Sequence, residues 1–142
     1  MGKHITLTAS DGHELDAYFS EPNVTPRAAV VIVQEVFGVN QHIRNVTDSF
    51  SARGFACIAP AMFDRVEKNV ECSYTPDGFA KARSYVPKLD WNNTVLDVKA
   101  ASDHLRDFGQ VGLVGYCWGG SVAWLSATRE AGVHASVGYY GG

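Results

Sequence analysis

Three short apolar runs, each separated from the next by a segment with helical spacing, most constrain the fold of this chain. They are Ala28–Val33, Phe55–Ala59 and Val111–Val114. A continuous apolar run rich in β-branched residues is typical of a strand that is buried on both faces, as in a parallel sheet covered by helices. Such strands are connected through right-handed helical crossovers. The pattern therefore predicts a three-layer α/β fold with a mostly parallel central sheet.

The rest of the chain extends this pattern at both ends. Alternating apolar residues on either side of a Ser10–His13 turn predict an opening β-hairpin. Helical spacing predicts helices between about 40 and 54, and at 78–85, 91–108 and 119–129, and a last apolar run predicts a strand at Val133–Val137. No repeat or linker divides the 142 residues. We therefore expect residues 1–142 to belong to a single domain.

Composition narrows the class of protein. A formal net charge of −3 provides no basic surface for nucleic acid or an anionic membrane. No apolar stretch has the length of a bilayer span, and the N-terminus becomes polar before a signal peptide could form. The three cysteines are an odd number without metal-type spacing, so reduced thiols in a cytoplasmic protein are the simplest interpretation.

The segment around Cys117 carries the strongest functional signal. Gly115-Tyr116-Cys117-Trp118-Gly119 has the form G-x-C-x-G at the junction of a buried strand and a helix. In a nucleophile elbow the small residues at these two positions let the strand and helix pass closely, while the turn lifts the nucleophile above the carboxyl edge of the sheet. The following helix N-terminus favours a thiolate. The alternative is a buried structural cysteine, which is what we expect of Cys57 and Cys72.

Three separated motifs, in order, resemble one known family. They are residues 34–40 (QEVFGVN), 60–65 (PAMFDR) and 115–120 (GYCWGG), and the closing VGYYGG at 137–142 is also similar. Together they resemble the dienelactone hydrolases, or carboxymethylenebutenolidases, which have the α/β-hydrolase fold. The resemblance covers essentially the whole chain.

The resemblance implies a role for each matching residue. Cys117 corresponds to the nucleophile that attacks the ester or lactone carbonyl and forms an acyl-thioester. The backbone N–H groups of Val36 and Trp118 correspond to the oxyanion hole. Glu35 corresponds to the carboxylate that helps to ionise the thiol. Its place at the end of an apolar strand suggests partial desolvation. The alternative for Glu35 is an exposed acid at the start of a loop.

Three further residues are expected around the substrate. Arg65 corresponds to an arginine that binds a substrate carboxylate, although it could equally be a solvated loop residue. Phe37 and Phe63 are expected to form pocket walls or core. Two departures from the family pattern change these expectations: Asp64 could occupy Arg65, and Trp118 is bulkier than the usual aliphatic residue and could reshape the pocket.

The catalytic acid and histidine of an α/β hydrolase follow the nucleophile in the chain. After Cys117 this chain has only Glu130 and His134 as candidates, and we expect neither to reach the thiol. Large α/β domains commonly have about 200–250 residues. We therefore expect a fold that is incomplete at the C-terminus, with a catalytic Asp and His absent and an exposed sheet edge through which the chain could self-associate.

The sequence thus predicts a cysteine hydrolase acting on a small ester or lactone, which could carry a carboxylate, and the 142-residue chain alone is expected to be inactive. No metal or organic cofactor is implied, because a thiol, a base and N–H donors suffice for acyl transfer. The alternatives are a non-catalytic binding module that retains the fold and, more remotely, a redox-sensing thiol without a resolving partner.

Overall fold

The structure, a computed structural model, describes all 142 residues. Six strands and four α-helices follow one another along the chain: β1 (Lys3–Thr8), β2 (Glu14–Ser20), β3 (Ala28–Val33), α1 (Gln41–Ser51), β4 (Phe55–Pro60), α2 (Pro76–Arg83), α3 (Trp91–Leu105), β5 (Val111–Tyr116), α4 (Trp118–Thr128) and β6 (Ala135–Tyr139). Two short 3₁₀ helices lie at Val86–Lys88 and Arg106–Phe108.

The strands form one sheet in the order β1-β2-β4-β3-β5-β6. β1 and β2 are antiparallel to their neighbours, whereas β4, β3, β5 and β6 run parallel. The expected hairpin and the mostly parallel sheet are confirmed. Because β4 and β5 lie on opposite sides of β3, the strand order reverses at β3. Open α/β sheets bind ligands at such a reversal, beyond the carboxyl ends of the strands.

The central strand β3 shows why its sequence is apolar throughout. Ala29, Val31 and Val33 face the larger core, to which α3 and α4 contribute. Val30 and Ile32 face a second core that includes Ile43 of α1. Side chains therefore cover both faces of the strand, as the three-layer prediction required.

Helix starts follow the local chemistry of the chain. Asn40 caps α1 as expected, since its side-chain oxygen accepts a hydrogen bond from the Ile43 N–H at 3.1 Å. Thr75 caps α2, and Asp90 caps α3 through the N–H groups of Asn92 and Asn93. None of the helices combines the length and apolar character that crossing a bilayer requires.

The last strand lies two residues further along the chain than predicted. It begins at Ala135, and Val133, which lies before the strand, packs against the core. Gly132 precedes it with a positive φ of 79°. β6 is paired only with β5, so its other edge is free. The side chains of Val137 and Tyr139 are about half exposed.

Candidate active site

The turn at Cys117 has the backbone geometry expected of a nucleophile elbow. Cys117 has a φ of 57°, in the left-handed region that side chains rarely adopt. A Cβ on Gly115 would lie 1.8 Å from the Gly119 carbonyl oxygen, and one on Gly119 would lie 2.4 Å from that of Gln34. The two glycines of the motif are therefore required for the close passage of β5, β3 and α4. Strain maintained at a single residue in this way is characteristic of functional sites.

Cys117 also differs from the other two cysteines in exposure. Cys57 and Cys72 are buried, and burial raises the pKa of both thiols, that of Cys57 to about 12. Cys117 is half-buried and opens onto a pocket of about 360 Å³. The structural interpretation of Cys57 and Cys72 is thus consistent with their surroundings, and Cys117 is the cysteine that a ligand can reach.

The two residues whose amides are expected to form an oxyanion hole line this same pocket. Val36, in the loop after β3, and Trp118, the first residue of α4, both line it together with Cys117. The Val36 N–H donates no hydrogen bond to the chain. The Trp118 N–H belongs to the first turn of a helix, where amides lack an intrahelical acceptor. The carboxyl ends of β3 and β5 therefore bring Val36, Cys117 and Trp118 to one pocket.

The carboxylate of Glu35 lies between two tyrosine hydroxyls. Tyr74 donates to one of its oxygens at 2.9 Å and Tyr140 donates to the other at 3.1 Å. Asn40 in turn donates to the Tyr74 hydroxyl at 3.1 Å. The Cys117 thiol is not among the hydrogen-bond partners of Glu35.

Tyr140, which the sequence analysis did not select, connects this carboxylate to the pocket. It lines the pocket beside Cys117 and has a positive φ of 40°. Desolvation, together with the charge and hydrogen bond of Glu35, raises its pKa to about 12. The phenol therefore stays protonated and acts as a donor at neutral pH. The available signal was its position directly after a strand, at the carboxyl edge of the sheet.

Arg65 does not border the pocket of Cys117. Its guanidinium makes two hydrogen bonds of 2.8 Å to Asp97 and two more, at 2.8 and 3.2 Å, to Asp11. Burial would lower the pKa of Arg65, but the bonds to the two carboxylates outweigh it and raise that pKa. Asp64, suspected of occupying Arg65, instead accepts the Asp16 N–H at 2.8 Å. The geometry assigns Arg65 to an internal ion cluster, which does not favour a role in binding substrate.

Another arginine does line the pocket. Arg83, the last residue of α2, borders it with Val86, Pro87 and Tyr140. Its guanidinium also lies 5.8 Å from the ring centre of Phe79. The pocket therefore combines apolar walls with one cation. The predicted helix at 78–85 includes Arg83, but helical spacing does not indicate which pocket the end of that helix approaches.

Phe37 and Phe63 each pack against an aromatic residue of the site. Phe37 packs against Tyr74, with ring centres 4.3 Å apart, and so braces a partner of Glu35. Phe63 is fully buried and packs against Trp118 at 5.2 Å. Neither borders the pocket of Cys117 directly.

The histidines lie away from the thiol. His134 is hydrogen-bonded to the backbone of Val111, at the start of β5, whereas Cys117 follows the end of that strand. His4 pairs with Asp16 on the β1–β2 hairpin. His42 and His104 lie on α1 and α3, and His13 lies in the hairpin turn. No group of three or more His, Cys, Asp or Glu side chains is arranged to hold a metal ion.

The sequence of this chain matches that of known dienelactone hydrolases. The family model for the dienelactone hydrolase family matches residues 15–142. A carboxymethylenebutenolidase from Pseudomonas putida is 33% identical over 145 residues, covering 96% of this chain and 60% of that protein. Carboxymethylenebutenolidase 1 from Cupriavidus pinatubonensis is 31% identical over 142 residues, with the same two coverages.

Solved structures with a similar fold include members of the same family. A Klebsiella pneumoniae crystal structure, assigned to the dienelactone hydrolases, superimposes with a TM-score of 0.79 at 29% identity, covering 98% of this chain and 60% of the other. A dienelactone hydrolase-like promiscuous phosphotriesterase from metagenomic libraries shares the fold, with a TM-score of 0.69 at 23% identity. The chain spans 60% of the length of each of the two carboxymethylenebutenolidases.

Proposed function

Because the chain belongs to the dienelactone hydrolase family, we propose that it carries the nucleophile half of an enzyme that hydrolyses small esters or lactones, with Cys117 forming an acyl-thioester. The observation that carries this proposal is the strained turn at Cys117, which opens onto a pocket that Val36 and Trp118 also line. A buried structural cysteine would need neither the strain nor the pocket.

The chemistry follows from these groups. The Cys117 thiolate attacks the carbonyl carbon, and the carbonyl oxygen becomes an oxyanion held by the Val36 and Trp118 N–H groups. The carbon–oxygen bond to the alcohol then breaks, and the departing alkoxide takes up the proton that the thiol released. Water subsequently adds to the thioester, the thiolate leaves, and the carboxylic acid is released. In a lactone the alcohol and the acid remain in one molecule.

Glu35 is proposed as the group that receives the thiol proton. It lies directly before Val36, at the end of β3, and its carboxylate already contacts Tyr140 in the pocket. The recorded partners of this carboxylate are the hydroxyls of Tyr74 and Tyr140, and no cation forms a salt bridge with it.

The pocket also suggests the substrate class. Val36, Val86 and Pro87 provide apolar contact, and Arg83 provides the one cation among the lining residues. A compact ester or lactone that carries a carboxylate matches this combination, with Arg83 in place of Arg65 as its partner.

The progress of ester cleavage tests the proposed reaction. With p-nitrophenyl acetate, we expect the 142-residue chain to release a burst of nitrophenolate that stops at one acyl group per chain. Turnover should not follow, because none of the histidines lies at the thiol to activate water. Cys117→Ala should remove the burst. Steady hydrolysis that Cys117→Ala abolishes would refute the inactivity of this chain, and an unchanged burst in that variant would refute the nucleophile.

A non-catalytic binding module is the competing possibility, and the same experiment separates the two. A module of this kind would show no burst, and Cys117 would react with thiol reagents no faster than an ordinary half-buried cysteine. The strained backbone at Cys117 is compatible with either possibility, because a module that retains the fold would retain the turn, so the burst is the observation that separates them.

We also propose that the free edge of β6 pairs with β6 of a second copy of this chain. Residues 135–142 contain neither a charged residue nor a proline, the two features that usually protect an edge strand. The opposite edge, β1, contains Lys3 and His4. Next to β6, Trp124 of α4 is 69% exposed and adds apolar surface.

Sedimentation velocity at several protein concentrations tests this pairing. We expect a monomer–dimer equilibrium that Val137→Lys shifts to monomer, because a charge on the edge strand opposes pairing. Thr6→Lys on β1 is the matched control and should leave the equilibrium unchanged. A chain that stays monomeric at every concentration, or a dimer that persists in Val137→Lys, would contradict pairing through β6.

A further inference from the structure

Trp118 occupies an unusual position for so large a side chain. It directly follows Cys117 and lines the pocket onto which the thiol opens. Its side chain is nevertheless only 7% exposed. The indole therefore forms a wall of the pocket and is itself packed against the core behind it.

Two aromatic rings pack against the indole, and a third packs against one of these two. The Trp118 ring stacks on Trp91 with centroids 6.0 Å apart and 22° between the planes, and it packs against Phe63 at 5.2 Å. Phe63 is fixed in turn by Tyr85 at 5.4 Å. The indole Nε1 is buried and makes no hydrogen bond. No hydrogen bond therefore anchors the indole, and its position depends on apolar packing, to which the rings of Trp91 and Phe63 contribute.

Of these rings, Trp91 is the less constrained. It begins α3, is 40% exposed and borders a groove of about 520 Å³ that Trp124 also lines. Phe63, by contrast, is fully buried. Trp91 is thus the outer, partly exposed support of the Trp118 ring.

We propose that Trp118, supported by Trp91, limits the size of the acyl group that Cys117 can accept, so that small acyl groups react and bulky ones are excluded. The inference rests on the proposed role of Cys117 as the acyl acceptor. A hydrophobic wall discriminates by volume, and one methylene changes relative reaction rates by roughly 10–200-fold. Since the indole is the bulkiest of the apolar side chains that line the pocket, its removal should change the size limit most.

The test compares acylation of Cys117 by p-nitrophenyl acetate and by p-nitrophenyl hexanoate, measured as burst rates. For Trp118→Leu we expect the hexanoate-to-acetate ratio to rise about tenfold or more. Trp124→Leu is the matched control, since this tryptophan lies on the same helix but is 69% exposed and does not line the pocket. Its ratio should stay as in the parent chain.

Loss of a buried indole can impair folding, so a second variant keeps the inference testable. Trp91→Leu retains Trp118 and removes the ring stacked on it, and it should raise the same ratio to a smaller extent. Circular dichroism establishes which variants are folded. An unchanged ratio in Trp91→Leu and in any folded Trp118→Leu overturns the size limit. If the parent chain forms no adduct even with acetate, the proposed function fails instead.

Discussion

Replacing Arg65 with alanine is expected to lower the free energy of unfolding by about 3–5 kcal/mol, because it leaves a buried carboxylate without its partner. The side chain of Asp97 is 1% exposed and that of Arg65 is 15% exposed. Burial raises the pKa of Asp97, and only the paired guanidinium opposes that shift strongly. Urea denaturation followed by circular dichroism measures the difference.

The effect is large because one guanidinium joins three segments that are distant in sequence. Asp11 belongs to the turn between β1 and β2, Arg65 to the loop after β4, and Asp97 to α3. The control is Lys99→Ala, which breaks an exposed pair with Asp103 and should cost only about 0.3–0.5 kcal/mol. Equal and small losses in the two variants would contradict the structural role assigned to Arg65.

Acidification should reveal the same cluster. Hydrogen bonds from Arg65 lower the pKa of Asp11 from 3.8 to about 2. A carboxyl whose pKa is lower in the folded state contributes stability above its ordinary pKa and loses it as the pH falls. The contribution of Asp11 should therefore disappear between about pH 4 and pH 2. The Asp97 carboxyl takes up a proton in acid and then no longer needs a cationic partner. The difference in free energy of unfolding between Arg65→Ala and the parent chain should therefore become smaller at low pH.

The sequence predicted the parts of the fold that have local causes. The apolar run of β3 indicated a strand covered on both faces, and its side chains do alternate between two cores. The G-x-C-x-G spacing indicated the close approach that Gly115 and Gly119 make possible. Both signals lie in adjacent residues, so one sequence is sufficient to recognise them.

The partners of charged and polar side chains could not be predicted in this way. Arg65 lies 32 residues from Asp97 and 54 from Asp11, and nothing in the intervening sequence indicates that they meet. The resemblance assigned Arg65 to the substrate because of its place in the 60–65 motif. In the structure, Arg83 lines the pocket of Cys117 and Arg65 does not. Likewise, the contact between Glu35 and Tyr140 joins residues 105 positions apart.

Changing Glu35 to glutamine is expected to slow the acylation of Cys117 by about 100-fold or more, within the range of general base catalysis. Glutamine retains the shape of the side chain and the ability to bond with Tyr74 and Tyr140, but it cannot take the thiol proton. Stopped-flow absorbance at several ester concentrations gives the rate. The control is Glu67→Gln, because Glu67 also accepts a tyrosine hydroxyl, that of Tyr85 at 3.0 Å, without lining the pocket.

An unchanged rate in Glu35→Gln would mean that Cys117 does not depend on this carboxylate, and the tyrosine contacts of Glu35 would then be structural. A slower rate in both variants would indicate a general loss of stability. Comparing their unfolding midpoints separates that case from a specific effect on the thiol.

The most direct measurement is the mass-spectrometric location of the acyl group after the chain reacts with p-nitrophenyl acetate. We expect one acetyl group on the peptide that contains Cys117, held as a thioester that neutral hydroxylamine removes, and none in Cys117→Ala. An acetyl group on Cys57, Cys72 or a lysine, with Cys117 unmodified, would contradict the assignment of Cys117 as the nucleophile.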